Sequence, residues 1–529
     1  MSSTFKAFVK KPILLLIAFN IITGLLIYKD FGLTWDEPYF YGYGDALGYA
    51  YSPTEWFSGH FDLYNSYGPS AEDHKTRGPA YLLLARSFAH GLEALGSDYA
   101  SAWHLVNFLF FQLGIYFLYR ISKRWMSSSA AFFASVFFSS QPLLWGHAFI
   151  NPKDPPFLTF FLASICLGFE MVDAISQDSK DKTKKMFLAA FVLGIATSIR
   201  ILAPLAGILV FIYFIVSMAG KNTPSAWWTF IYYGIIAILV MIATWPYLWE
   251  ALFKNFLSVF VLMSDNPTTL AVLFGGKVYS ASDLPRRYLP TIMAITLTEP
   301  TWPLFGFGFL LGYWKLFKNR APDFKKQITS LSLVFSYFLI LLAYVLIRKP
   351  AMYDGMRHFF FILPPIFIFT GFAFEFLIDM LSALFSSSTW LRAALGFLFI
   401  VPGINGIIKL HPYEYAYYNA FVGGTGGAFR NYETDYWLTC YKEAVKEINE
   451  LATQPTRLFV YREASIAANY ADDFLDVQDL RKKHDPLQPG NFILVNTRTN
   501  EDRTVFNGKP VIRSINRGGA TFCIIRQVP

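Results

Sequence analysis

The sequence is poor in charge and in cysteine. Only 16% of its 529 residues are Asp, Glu, Lys or Arg, whereas soluble domains contain about 25%. The three cysteines include no CxxC pair and the eight histidines no HExxH spacing, so the redox and zinc motifs built on those spacings are absent. Hydrophobic residues instead make up 54% of the chain. This balance indicates an integral membrane protein.

Long apolar runs recur from residue 12 to about residue 410. Most are roughly 17 to 22 residues long, which is enough to cross a hydrocarbon core of about 30 Å. The first run has no small-residue cleavage site after it, so we expect a retained span rather than a signal peptide. The two runs joined at TSIR (197–200) are short and favour a tight hairpin. We predict about eleven spans, at 12–28, 102–120, 128–147, 157–175, 186–199, 201–218, 227–246, 300–317, 328–347, 358–377 and 391–409.

The basic residues predict the orientation of these spans. The formal net charge of +8 is carried largely by short loops such as 120–125, 179–185 and 315–326, which alternate with loops poor in Lys and Arg. This is the positive-inside pattern rather than a nucleic-acid-binding surface. We therefore expect a multi-pass protein of the cell (inner) membrane, surrounded by membrane lipids, with a cytoplasmic amino terminus and an extracytoplasmic carboxyl terminus.

Nearly all of the remaining mass then lies outside. Segments 38–51 and 79–95 are predicted to be interfacial helices, because apolar and aromatic residues recur there at helical spacing. Residues 411–529, the carboxyl-terminal region, contain strand-like and helix-like stretches, which predict a small extracytoplasmic α/β domain after a transmembrane domain of residues 1–410. The predicted strands are 456–461, 491–496 and 520–528, and the predicted helix is 444–452.

Two cysteines of the carboxyl-terminal region are the pair that could form a disulfide outside the membrane. Cys166 lies inside a predicted span, which leaves Cys440 and Cys523. Their separation shows no recognisable disulfide framework. We therefore expect them to be unpaired.

Two acidic motifs on the outer side are candidates for chemistry. Asp36 and Glu37 follow the first span in LTWDEPYF; acids also favour a helix start, which is the structural alternative. Asp154 stands in NPKDPP (151–156), where two prolines stiffen the loop. A plain turn is the alternative there. Acids at a membrane edge are poorly solvated, which suits a general base.

Cations accompany these acids on the same side. Lys153 precedes Asp154, Arg200 ends TSIR, and Arg357 with His358 opens the span RHFFFILPP. Arginine at membrane depth costs about 2.5 to 3.5 kcal/mol, so it is usually paired or faces a polar cavity. Snorkelling to the interface is the alternative. Guanidinium groups suit phosphate oxygens, so the pattern predicts a site for a phosphate and a hydroxyl.

Tyrosines flank the same face of the membrane. HPYEYAYYN (411–419) follows the last predicted span, and Tyr39 stands beside the acidic pair. An aromatic belt at the membrane interface explains such residues. The alternative is a pocket for an acceptor or a sugar, lined by Tyr39, Tyr417 and Tyr418.

The order of these motifs resembles that of the protein O-mannosyltransferase and aminoarabinose transferase group, membrane glycosyltransferases of the GT-C fold. The resemblance rests on WDEPYFYGYGDAL, NPKDPPF, TSIR and RHFFFILPP and covers about residues 12 to 410. It implies a helical polytopic membrane protein of GT-C type with a polyprenyl-phosphate sugar as donor. The carboxyl-terminal region has neither the β-trefoil nor the extra spans of those relatives, which leaves a lipid, a glycan or a protein as the acceptor.

The resemblance also implies roles for the candidate residues. Asp36 matches the acid after the first span and would act as the base, Glu37 would support it, and Asp154 would bind the acceptor or a divalent cation. The donor phosphate would be bound by four cationic residues, Lys153, Arg200, Arg357 and His358. A transporter or flippase of lipid-linked saccharides is the rival interpretation. It predicts internal repeats and charges at mid-membrane depth, and neither is evident in the sequence.

Overall fold

The computed structural model describes residues 11–221, 223–265, 268–318, 322–384 and 388–529. This part is mostly helical, with one β-hairpin and one five-stranded sheet. The helices of the first 410 residues are α1 (Pro12–Ile27), α2 (Glu37–Ala50), α3 (Pro53–Trp56), α4 (Ala71–His74), α5 (Ala80–Ala94), α6 (Tyr99–Ser122), α7 (Ser128–Ser139), α8 (Pro142–Ile150), α9 (Asp154–Ser176), α10 (Lys182–Ile199), α11 (Pro204–Met218), α12 (Pro224–Ala243), α13 (Tyr247–Glu250), α14 (Leu252–Asp265), α15 (Tyr288–Thr296), α16 (Thr301–Lys318), α17 (Phe324–Arg348), α18 (Pro364–Leu384) and α19 (Ser388–Leu410). The hairpin is β1 (Ala271–Phe274) with β2 (Lys277–Ser280), and 3-10 helices lie at Leu63–Ser66 and Arg357–Ile362.

Six of the described helices are long and apolar enough to cross a membrane. Each coincides with a predicted span: α6, α9, α12, α17, α18 and α19. Helices α1, α7 and α11 are apolar but shorter. The predicted span 128–147 is two helices, because Gln141 is extended (ψ 116°), as expected of a residue before proline. The polytopic helical class is confirmed, although fewer helices than eleven satisfy both length and composition.

The two predicted interfacial helices exist, but the first is largely buried. Helix α2 begins at Glu37, with Pro38 in its first turn, where a missing amide hydrogen costs no hydrogen bond. The side chains of Tyr41, Tyr43 and Leu47 are 0% exposed. Tyr41 stacks on Trp103 of α6 with the ring centroids 4.5 Å apart. The aromatic stripe therefore fixes α2 against the helical core.

The carboxyl-terminal region folds as helices around a mixed sheet. All three predicted strands and the predicted helix are present, and two further strands, β4 and β6, had no clear alternation in the sequence. The sheet order is β4-β3-β5-β7-β6, with β3 parallel to β4 and β5 and with β7 antiparallel to β5 and β6. The elements are 3-10 helices Glu414–Ala416, Ala420–Val422 and Glu501–Arg503, helices α20 (Gly424–Ala428), α21 (Tyr441–Leu451) and α22 (Ala464–Ala468), and strands β3 (Thr456–Val460), β4 (Leu475–Asp479), β5 (Phe492–Asn496), β6 (Val511–Arg517) and β7 (Ala520–Gln527).

A disulfide joins Cys440 to Cys523, contrary to the expectation from the sequence. Cys440 directly precedes α21, and Cys523 lies in β7, the strand beside the central strand β5. Packing of α21 on the sheet brings their Cα atoms to 6.0 Å, within the normal range for a disulfide. Their separation of 83 residues concealed this proximity in the sequence.

His411 connects the two ends of the helical part, by which we mean residues 12–410. It follows α19, and its ring nitrogens lie 2.9 Å from Asp30, just after α1, and 2.8 Å from Glu414. Burial lowers the pKa of His411, but hydrogen bonds and attraction to Glu414 and Asp30 outweigh burial and raise it to about 9. The charged imidazole therefore holds the first loop against the carboxyl-terminal region.

Candidate active site

The loop before α9 presents Asp154 in a fixed orientation. The side-chain oxygen of Asn151 accepts hydrogen bonds from the backbone amides of Lys153 (3.1 Å) and Asp154 (2.9 Å). The Asn151 amide nitrogen then donates to Asp154 Oδ2 at 2.9 Å. Asp154 is the first residue of α9, where the helix dipole favours a negative charge. The carboxylate is thus buried and held in one orientation.

Two guanidinium groups meet this carboxylate. Arg200 lies in the turn between α10 and α11, and its Nη2 contacts Asp154 Oδ1. Arg357 Nη1 lies 3.3 Å from Asp154 Oδ2. The Nε groups of both arginines are buried, and neither has a hydrogen-bond partner among the described residues. Each guanidinium therefore keeps an unused donor.

Arg357 also contacts Asp36, on the far side of the same cluster. Its Nη2 lies 3.4 Å from Asp36 Oδ2 and 3.0 Å from Asp354 Oδ2. The Asp36 side chain is 30% exposed, whereas those of Asp154 and Asp354 are at most 2% exposed. Asp36 makes no capping hydrogen bond to α2. It is therefore the accessible carboxylate of an acid–guanidinium cluster, which consists of Asp36, Asp154, Asp354, Arg200 and Arg357.

Glu37 does not join this cluster. Its side chain is 0% exposed, and its Oε2 accepts from the amide of Thr34 at 2.6 Å. Its Oε1 accepts from the hydroxyl of Tyr41 and lies 3.0 Å from His104 Nε2. These contacts fasten the start of α2 to α6. The structure therefore places Glu37 outside the acid–guanidinium cluster, and its supporting role in catalysis stays a prediction.

Lys153 belongs to a second group of cations beside the cluster. Its ammonium lies 5.5 Å from the centroid of the Phe40 ring, and the guanidinium of Arg77 lies 5.7 Å from the same ring. Burial, and then repulsion from Arg77, Arg200 and Arg357, lowers the pKa of Lys153. A bound anion would offset this repulsion between Lys153 and the neighbouring cations.

Arg77 is a site residue that the sequence analysis missed. It stands in HKTRG (74–78) of the first loop, without a distinctive motif. The adjoining Gly78 packs so closely on TSIR that a Cβ would lie 1.6 Å from the carbonyl oxygen of Ser198. Only glycine permits this approach, which carries Arg77 to the cluster. A basic residue beside a glycine in a long outer loop is the one signal that could have found it.

The two histidines near the cluster are neutral. Burial, and then the charges of Arg357, Arg200, Lys153 and Arg77, lowers the pKa of His358. Burial, with Arg77 and Lys153, lowers the pKa of His74 to about 3. His358 therefore differs from the cation expected from the sequence: near neutral pH it can donate a hydrogen bond but carries no charge.

The three predicted tyrosines fall into two places. The ring of Tyr39 stacks on that of His74 at 5.8 Å, beside the second group of cations. Tyr417 and Tyr418 instead line a small cavity with Tyr436 and with Met356, the neighbour of Arg357. Both are 6% exposed, and the hydroxyl of Tyr418 donates to the carbonyl of Glu433 at 2.7 Å. Of the three, Tyr39 is the most exposed, at 41%.

The cluster does not fit a divalent cation. Both oxygens of Asp154 face guanidinium groups, and Arg357 stands between Asp154 and Asp36. A hard cation needs several oxygen ligands that converge on one point. Among the described residues, one group of three possible metal ligands lies close together elsewhere: Asp435, Cys440 and Cys523. The two sulfurs of this group are bonded to each other in the disulfide.

The comparisons with known proteins agree on the fold. Residues 83–249, which include Asp154 and Arg200, match the family model described as dolichyl-phosphate-mannose-protein mannosyltransferase. No curated protein sequence matches the chain.

Solved structures resemble nearly the whole chain. The archaeal oligosaccharyltransferase AglB from Archaeoglobus fulgidus, in complex with an inhibitory peptide and a dolichol-phosphate, has a TM-score of 0.51 at 12% identity, over 95% of this chain and 70% of that one. The oligosaccharyltransferase of the same organism tethered to an acceptor peptide has a TM-score of 0.50 at 12% identity, over 89% of this chain and 64% of that one. ArnT from Cupriavidus metallidurans bound to undecaprenyl phosphate has a TM-score of 0.46 at 12% identity, over 96% and 97% of the two chains.

The chain spans about two thirds of the length of the archaeal enzyme. At this identity the likeness concerns the fold, which is the GT-C fold of membrane glycosyltransferases. The fold implied by the sequence resemblance is confirmed.

Proposed function

We propose that this chain is a glycosyltransferase that transfers a sugar from a polyprenyl-phosphate donor to a hydroxyl group of an acceptor. The acid–guanidinium cluster carries the proposal. It combines one accessible carboxylate, Asp36, with guanidinium groups whose Nε donors lack partners. Buried donors of this kind are rare in folded proteins, and a phosphate oxygen would satisfy them. The GT-C fold and the mannosyltransferase family match support the same activity.

The reaction follows from the placement of these groups. Asp36 accepts the proton of the acceptor hydroxyl while the hydroxyl oxygen forms a bond to the anomeric carbon. The bond from that carbon to the phosphate oxygen breaks, and its electron pair leaves with the polyprenyl phosphate. Arg200, Arg357 and Lys153 stabilise the charge that develops on the leaving group. Because attack and departure occur on opposite faces of the carbon, we expect inversion.

The neighbouring residues have supporting roles in this proposal. Asp154 holds both guanidinium groups in place, and Arg77 adds positive charge beside Lys153. Neutral His358 donates a hydrogen bond to the phosphate. Tyr39 offers an open ring on which a sugar can stack, and Tyr417 with Tyr418 supports the wall behind Arg357. A lipid, a glycan or a protein can supply the acceptor hydroxyl. Lys153 and Arg77, beside the cluster, add the positive charge that a metal would otherwise bring.

The helices support a site on the extracytoplasmic face. Asp154 begins α9, which ends at Ser176, and a helix of this length is about 35 Å long. The basic loop 179–185 follows the other end, which the positive-inside rule assigns to the cytoplasm. We therefore propose a cytoplasmic amino terminus and an extracytoplasmic domain of residues 411–529 in the cell (inner) membrane. The acid–guanidinium cluster lies at the first residue of α9 rather than midway along the helix, which favours an enzyme over a flippase.

Substitution of Asp36 by Asn tests the proposal. The variant keeps the size of the side chain but cannot accept the proton, so sugar transfer from a polyprenyl-phosphate donor should fall by about 10² to 10⁴. Asp45→Asn is the matched control, because Asp45 lies in α2, which directly follows Asp36, and contacts His90 and Tyr99 rather than the cluster. Full transfer by a folded Asp36→Asn variant would show that the base is assigned wrongly.

A further inference from the structure

Arg498 of the carboxyl-terminal region reaches the acid–guanidinium cluster. Its side chain is 1% exposed, and its Nη2 donates to Asp354 Oδ1 at 2.9 Å. Its Nε donates to Glu433 Oε1 at 2.8 Å. The other oxygen of Asp354 accepts from Trp437 Nε1 at 3.0 Å and contacts Arg357. Asp354 thus joins two buried guanidinium groups that lie far apart in the sequence.

The sheet holds Arg498 in this position. Strand β5 is the central strand and ends at Asn496, two residues earlier. The side-chain oxygen of Asn496 accepts from the amide of Arg498 at 2.7 Å, and its nitrogen donates to the carbonyl of Asp435 at 3.1 Å. The guanidinium of Arg498 lies 4.5 Å from the ring of Trp35, which directly precedes Asp36. The same side chain therefore contacts both Asp354, which belongs to the cluster, and Trp35, the residue before Asp36.

Asp354 is also the nearest carboxylate to Arg357. The Arg357 Nη2 distance is 3.0 Å to Asp354 and 3.4 Å to Asp36, and the Nη1 distance to Asp154 is 3.3 Å. The charge of Arg498 repels that of Arg357 and so offsets part of the attraction of Asp354 for Arg357. Arg498 therefore limits how strongly Asp354 draws Arg357 away from the accessible acid.

We propose that Arg498 and Asp354 are positioning residues for the transfer reaction, and that the carboxyl-terminal region completes the catalytic site through them. Arg498 binds Asp354, and Asp354 sets the distance of Arg357 from Asp36 and from the donor phosphate. This inference rests on the proposed function. It adds that Arg357 would not be correctly placed if residues 411–529 were absent.

Arg498→Met tests the inference in the full-length protein. Met keeps the apolar stem and removes the guanidinium, so the full charge of Asp354 acts on Arg357. We expect kcat to fall about 10²-fold, as is typical when a catalytic group is displaced by about 1 Å, with the KM for the acceptor changed less than threefold. Arg498→Lys should recover at least tenfold of the loss, because Lys restores the charge but not the fork.

Arg430→Met is the matched control. Arg430 belongs to the same region and binds Asp502 with both terminal nitrogens, at 2.6 and 2.7 Å, without contacting the cluster. The Arg430→Met variant should keep the kcat of the unaltered protein. If Arg498→Met does not fold, the Asp354→Asn variant is measured instead. Asn keeps an oxygen that accepts the hydrogen bond of Trp437, but it has no charge to attract Arg357. A folded Arg498→Met or Asp354→Asn variant with unchanged kcat would overturn the inference, as would equal losses in Arg430→Met.

A second measurement separates this inference from the proposed function. Transfer by the unaltered protein tests the function alone. A structure of the Arg498→Met variant tests the positioning role whether or not transfer occurs. We expect Arg357 to move closer to Asp354 and away from Asp36, and an unchanged separation of 3.4 Å between Arg357 and Asp36 would overturn it.

Discussion

The guanidinium of Arg357 lies 3.4 Å from the carboxylate of Asp36. Arg357 opens the 3-10 helix that precedes α18, and Asp36 directly precedes α2, so this contact joins segments more than 300 residues apart in the chain. It places the accessible acid beside a cation and leaves the other acids buried.

Asp36 and Glu37 should respond differently to loss of charge. Glu37→Gln weakens buried hydrogen bonds to a charged group, each worth about 1.5 to 3 kcal/mol, so the thermal midpoint should fall while kcat of the folded fraction changes little. Asp36→Asn should lose kcat at an unchanged midpoint. Thermal unfolding and transfer assays on the same samples distinguish them. Equal loss of kcat in both variants would return Glu37 to the catalytic group.

Removal of the cations should weaken binding of the donor but not binding of the acceptor. Lys153→Met and Arg77→Met each remove one charge that faces the donor phosphate, so the KM for the donor should rise about tenfold, which corresponds to about 1.4 kcal/mol. The KM for the acceptor should change little. Lys75→Met is the control, because Lys75 pairs with Glu72 at the surface. An equal rise in both KM values would contradict a phosphate-binding role.

Chelation of metals should not abolish transfer. Guanidinium groups engage the carboxylates of Asp36 and Asp154, so these oxygens do not converge on a point that a divalent cation could occupy. Transfer after treatment with EDTA should stay within about twofold of the untreated rate, a change of about 0.4 kcal/mol. If EDTA abolished transfer and added Mg²⁺ or Mn²⁺ restored it, the conclusion that the cluster does not fit a divalent cation would be wrong.

Alkaline pH should loosen the contact made by His411. Its pKa in the folded protein is about 9, above the ordinary value of 6.5. The stabilisation from its charge is therefore fully present below pH 6.5 and is lost as the pH rises through 9. The thermal midpoint of the unaltered protein should fall over this interval more than that of His411→Gln. Parallel pH profiles would show that the ion pairs contribute nothing.

The disulfide should stabilise the carboxyl-terminal region. Loss of a disulfide typically costs about 2 to 5 kcal/mol, so Cys440→Ser should lower the thermal midpoint of the full-length protein. Native protein should show no reactive thiol, because the remaining cysteine, Cys166, is buried. Thiol labelling before and after reduction measures this. Two labelled thiols without a reductant would show that the cysteines are unpaired.

Local patterns predicted most helices and strands. Apolar runs marked the membrane helices, and alternation marked β3, β5 and β7, since both reflect which face of a short segment is buried. The break at Gln141 was missed because hydropathy does not register a single extended residue. Strands β4 and β6 were missed because they expose several polar residues at the edges of the sheet.

The candidate site was predictable where a local motif carried it. Asp36, Asp154, Arg200 and Arg357 each interrupt or border an apolar run, where a charge is costly and therefore conspicuous. Arg77 and Arg498 lie in polar segments, where a charge is ordinary. Glu37 could not be separated from Asp36, because the two acids are adjacent in the sequence and only the start of α2 directs one to the cluster and the other to α6.

The sequence by itself determined a helical membrane protein with acids and cations gathered on one side, because burial in lipid requires long apolar segments and confines charge to their ends. Only the tertiary structure decided which charges meet. The pairing of Arg357 with Asp36 and Asp154, the removal of Glu37 from the site and the arrival of Arg498 depend on contacts between segments distant in the chain. Such contacts follow from the packing of whole helices and a sheet, which no local pattern encodes.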